Sequence, residues 1–134
     1  MKIRIGFGIG AWPFTEHSNQ AFYNFVDNCE YWGVDSLWFS DRVIGKGSTL
    51  DPIVAISALS GRKGMMKFGT NALIMPLRNP VIMAKEIATL DFLSNGRLLL
   101  VAGLGGEDPR AVSYTHLRAH ETEADLVCRL LREK

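Results

Sequence analysis

The constraint that most limits this chain is an alternation: four short apolar runs separated by three segments with helix signals. Residues 3–9, "IRIGFGI", form a β-branched and aromatic run that reads as a strand. In "SNQAFYNFVDNCEYWGV", Ser18 is a candidate N-cap. Phe22, Phe25, Val26, Cys29 and Trp32 recur at helical spacing, and Gly33 sits where a helix-ending glycine belongs. "DSLWFS" (35–40) is the second strand, followed by the polar pair Asp41 and Arg42. Asp51 and Pro52 then open a helix that stops near Gly61. "KFGTNALIM" (67–75) is the third strand, Asn79 and Pro80 start the third helix, Gly96 ends it, and "RLLLVAG" (97–103) is the fourth strand.

This order predicts an α/β fold with a parallel sheet, because each crossover is long enough to carry a helix. The strands are apolar throughout rather than alternating, as in sheets covered on both faces. Two layouts satisfy the pattern: an open doubly wound sheet, or the first four β/α units of a (β/α)8 barrel. A dinucleotide site wants G-x-G-x-x-G at the first strand–helix junction, whereas Gly6, Gly8 and Gly10 are spaced G-x-G-x-G inside the strand run. Polar and glycine residues gather instead at the C-terminal ends of successive strands: Asp41 and Arg42 after the second, Asn71 near the end of the third, and Gly103 to Glu107 after the fourth. A rim assembled from several strand ends is the active face of a barrel enzyme.

Those stretches also carry a resemblance. "DSLWFSDRV", "KFGTNALIMPLRNPVIMAKEIATLDFLSNGRLLLVAGLG" and the opening "IRIGFGI" resemble the bacterial luciferase-like superfamily of flavin- and coenzyme F420-dependent oxidoreductases over residues 1–111. The "GLGGEDP" variant is most similar to the F420-associated branch. The resemblance implies the N-terminal half of a TIM-like barrel, with coenzyme F420 favoured over FMN, hydride transfer or monooxygenation as the chemistry, a small-molecule substrate and a homo-oligomeric parent. It places Asp41 against the cofactor, and Asn71 and Ala72 at a bulged third strand with a non-proline cis peptide. Gly103, Leu104 and Gly105 fall in a turn whose bare backbone approaches the cofactor. Two positions depart from the pattern. Arg42 stands where a catalytic histidine is frequent, and an arginine does not give up its proton. Glu107 lies one residue beyond the place of an acidic base, which here is Gly106.

His116 and His120, four apart in "HLRAHE", with Glu121 and Cys128 nearby, suggest an alternative: a small metal-binding module. A different resemblance opposes it. From Val112 to Thr122 the chain is similar to the translation of a transposon-end adapter used in sequencing-library preparation. From Asp125 onward it matches the adapter that follows the index, apart from Arg132. The expected organisation is therefore residues 1–111 as half a barrel domain and 112–134 as an adapter-derived tail, with no metal site and no activity from the truncated chain. A nonfunctional truncated reading frame is the remaining alternative.

Bulk properties limit the partners. A net charge of +1 gives no electrostatic case for nucleic acid or an anionic membrane. The two cysteines, Cys29 and Cys128, form no paired motif. "MKIRIGFGIG" lacks the apolar core of a signal peptide, and no apolar run approaches a membrane span, so a cytoplasmic location is expected.

Overall fold

The computed structural model describes residues 3–11, 18–43 and 47–105. Its elements are β1 (Gly6–Ile9), α1 (Asn19–Tyr31), β2 (Ser36–Phe39), α2 (Pro52–Ser60), β3 (Lys67–Thr70), β4 (Leu73–Ile74), a 3-10 turn (Met75–Leu77), α3 (Pro80–Leu93), β5 (Leu98–Leu99) and β6 (Ala102–Gly103). The main sheet has the order β1-β2-β3-β5, and every pair is parallel. A second, two-stranded parallel sheet joins β4 to β6. Strands in chain order, with no reversal on either side of β1, are the barrel arrangement rather than the doubly wound one.

Helix boundaries follow local chemistry. Asp51 caps α2 by accepting from the Val54 N–H, and Asn79 caps α3 by accepting from those of Val81 and Ile82. Ser18 precedes α1 without a side-chain cap bond. Gly33 takes the left-handed φ of 73° that ends α1. After α3 the cap residue is Ser94, not Gly96; Asn95 and Gly96 are both left-handed, at φ 57° and 72°.

One core cluster lies between the helices and one face of the sheet. Leu37 and Phe39 of β2 and Phe68 of β3 meet Phe22, Val26 and Cys29 of α1, Ile56 and Leu59 of α2, and Met83 and Leu90 of α3. Burial pushes the Cys29 thiol pKa up, so the residue acts as a small apolar filler. Trp32, at helical spacing with this group, is instead 67% exposed beyond the end of α1. Arg97 ties the lower ends together: its guanidinium donates to the carbonyls of Ser60, Arg62, Met66 and Ser94 and stacks 5.1 Å over the Phe68 ring.

On the other face of the sheet, Trp38 sits among the small residues Gly6, Gly8, Ser36 and Gly69. Trp38 donates its indole N–H to Ser36 Oγ at 2.9 Å. A Cβ on Gly69 would lie 2.5 Å from the indole, and one on Gly6 would lie 2.9 Å from its Nε1. Trp38 therefore spans three strands only because both neighbours are glycine. Gly69→Ala should displace the ring and cost about 1–3 kcal/mol. Urea denaturation, with a shifted tryptophan emission maximum in the folded state, checks this; an unchanged midpoint would refute the packing.

Three strands are shorter than their apolar runs. Among the described residues β1 has a neighbour on one side only, and Ile3, Ile5 and Phe7 stay exposed rather than covered on both faces. The third run breaks at Asn71–Ala72, whose peptide bond is cis, where the family resemblance placed one. The fourth breaks at Leu100 and Val101. There Thr70 Oγ1 takes over the ladder, donating to the Val101 carbonyl at 2.8 Å and accepting from its N–H at 3.0 Å. A side chain doing the work of a neighbouring strand leaves no trace in hydrophobic patterning.

Candidate functional site

The C-terminal ends of the strands converge. The Ser40 N–H reaches the Ile9 carbonyl, the Asn71 N–H that of Phe39, and the Leu73 N–H that of Val101. Pairing of Leu73 with Ala102 and of Ile74 with Gly103 then sets the strand-three step against the strand-four turn. Gly103 keeps this contact close: a Cβ there would lie 3.1 Å from that of Ala72, tighter than an ordinary van der Waals contact. Gly105 adopts φ 98°, a conformation few side chains tolerate, with Ile74 at its back. Gly8 and Gly10 are open on their free sides, where an added Cβ meets nothing within 4 Å.

The Asp41 side chain is held by two protein partners. It is only 5% exposed, and Oδ2 accepts from the Ile74 N–H at 2.9 Å and from Arg78 Nη2 at 3.2 Å. The same Arg78 nitrogen donates to Asp51 Oδ2 at 2.9 Å, while Asp51 Oδ1 caps α2. One guanidinium thus links the end of β2, the start of α2 and the turn after β4. Burial alone would lower the Arg78 pKa, but the Asp51 and Asp41 carboxylates outweigh it and raise it. For Asp51, burial pushes the carboxyl up, yet the Arg78 hydrogen bond and the Val54 N–H bring it below its ordinary value.

A carboxyl with a depressed folded-state pKa contributes stability above its unfolded pKa, about 3.9, and loses it as pH falls through the folded value. The denaturant midpoint should therefore fall below about pH 4. Asp51→Asn, which keeps a capping oxygen, should flatten that dependence. Equal pH slopes for both proteins would show that Asp51 carries none of it.

The structure brings together Asp41, Asn71, Ala72, Gly103, Leu104 and Gly105. Asn71 and Leu104 are exposed there. Arg42 is exposed beside Asp41, and its carbonyl accepts from Thr49 Oγ1. Glu107 lies outside the described residues, as do His116, His120, Glu121, Cys128 and the whole 112–134 segment. Among the described residues no cluster of metal-ligating side chains occurs. Arg78 was missed as a site residue; its signal was the "RNP" run, which marks the family without revealing what the arginine holds.

The chain matches the luciferase-like monooxygenase family over residues 3–129 and belongs to it. It is 33% identical over 78 residues to the F420-dependent glucose-6-phosphate dehydrogenase of Amycolatopsis mediterranei, covering 54% of this chain and 23% of that one. With the enzyme of the same name from Kineococcus radiotolerans it shares 27% over 118 residues, 82% of this chain and 35% of the relative. Among solved structures it is similar to the FMN-bound oxygenating constituent of 3,6-diketocamphane monooxygenase from Pseudomonas putida. The TM-score there is 0.72 at 21% identity, over 85% of this chain and 32% of that one. The coenzyme F420-dependent tetrahydromethanopterin reductase of Methanopyrus kandleri follows the same fold, with TM-score 0.63 at 20% identity over 80% and 28%. The chain thus spans between a fifth and two fifths of the length of these relatives. Among the described residues no helix is long and apolar enough to cross a membrane.

Proposed function

We propose that residues 1–111 are the first half of a TIM-like barrel oxidoreductase that lays a planar redox cofactor, coenzyme F420 in preference to FMN, across its C-terminal strand ends. The supporting observation is the convergence there of Asn71, Ala72, Gly103 and Gly105 around glycine-bared backbone. The fit to a flat ring is steric: Gly103 and Gly105 bare the backbone of the strand-four end, and Gly8 and Gly10 of the first strand run carry open space where a side chain would stand. The preference for F420 comes from the likeness of "GLGGEDP" to the F420-associated branch and from the two dehydrogenases named above.

In this reading Asn71, Ala72, Gly103, Leu104 and Gly105 hold the cofactor, and Asp41 acts from behind them. Bound there, F420 supplies hydride transfer to or from a small molecule, and FMN would also permit oxygenation. Arg42 offers a permanent cation at the rim, suited to a phosphate or a substrate anion and not to proton transfer. Glu107 is the candidate acid–base group. Residues 112–134 are assigned to adapter sequence, and the parent protein is taken as a soluble homo-oligomer.

Reading the source DNA past codon 111 and expressing the complete frame tests all of this. The frame should continue into further β/α units, and the purified protein should bind F420 more tightly than FMN in a fluorescence titration. Binding of neither cofactor would overturn the assignment.

A further inference from the structure

We infer that Arg78 is a positioning residue for the strand-end site, a role that rests on the cofactor reading above. A single nitrogen, Nη2, donates to Asp41 Oδ2 at 3.2 Å and Asp51 Oδ2 at 2.9 Å, and Asp41 in turn holds the Ile74 N–H at 2.9 Å. Ile74 pairs with Gly103 and backs Gly105. The chain of contacts therefore runs from the α2 cap through Arg78 and Asp41 to the glycine turn proposed to meet the cofactor. Arg78 Nε is buried without a hydrogen-bond partner, so the side chain tolerates an unsatisfied donor to reach both carboxylates. A lysine at this position carries its charge on a shorter side chain, so its ammonium would fall short of the Nη2 position that reaches both carboxylates.

Arg97 supplies the control. It is also a part-buried arginine binding several backbone oxygens, but at the opposite ends of the strands. Arg78→Lys and Arg97→Lys should both lower thermal stability. In hydrogen exchange followed by mass spectrometry on the 134-residue chain, Arg78→Lys should speed exchange of the peptide carrying Leu73 and Ile74 about tenfold and leave that of Phe68 unchanged. Arg97→Lys should do the reverse. In the complete protein, Arg78→Lys should weaken F420 binding about tenfold, and Arg97→Lys should leave it unaltered.

Unchanged exchange at Ile74, or equal cofactor affinity in wild type and Arg78→Lys, overturns the positioning role. Equal weakening by both lysine variants reduces it to general stability and overturns it as well. A complete wild-type protein that binds neither cofactor overturns the functional reading itself, a failure visible without any Arg78 variant.

Discussion

Asp41→Ala should lower the unfolding free energy by about 3 kcal/mol, the order expected when one partner of a buried ion pair is removed. The variant loses the acceptor for the Ile74 N–H, and it leaves Arg78 with Asp51 alone. Asp41→Asn keeps an oxygen for Ile74 but gives up the charge, so it should cost about half as much. Urea denaturation at low protein concentration, followed by tryptophan emission, separates the two. The family resemblance implies Asp41 as a rim contact to the cofactor, and these bonds give it a structural role as well. A side chain 5% exposed and bonded to two segments is a structural bracket first. Under 1 kcal/mol for Asp41→Ala would restore the rim picture.

The elements legible in the sequence were those fixed by local chemistry. Asp51 with Pro52 and Asn79 with Pro80 announce their helices because capping and a preset φ act within one turn. Periodicity found the core face of α1 and failed at Trp32, which has the spacing but falls past the last turn. Strand lengths were overread at 67–75 and 97–103, because a run of apolar residues does not record where Thr70 replaces the ladder. The site was legible as a set of strand ends, since polar residues after successive strands share one rim. What each residue does there was not. Asp41 faces inward only because Arg78, 37 positions later, arrives beside it. No spacing rule links the two.

The 134-residue polypeptide should self-associate and show no oxidoreductase turnover. Its main sheet ends in β1 on one side and β5 on the other, and among the described residues neither has a further neighbour. Backbone donors and acceptors along such edges are templates for pairing with another chain. Ile3, Ile5 and Phe7 lie exposed at 76%, 54% and 46% at one side, with Leu100, Val101 and Leu104 at 42%, 42% and 81% at the other. Apolar side chains flanking open strands favour association once concentration permits. A barrel has no such edges, because its first and last strands pair. A cofactor gripped by part of a rim also loses contacts, and each tenfold of affinity is about 1.4 kcal/mol. Size-exclusion chromatography should therefore place the polypeptide ahead of the monomer position, with the excess falling on dilution. F420 and FMN assays on every fraction should stay at background. Lys or Glu at Ile5 and Val101 should shift the elution back toward the monomer without restoring turnover. A stable monomer that reduces or oxidises either cofactor would mean that four strands make a working site by themselves.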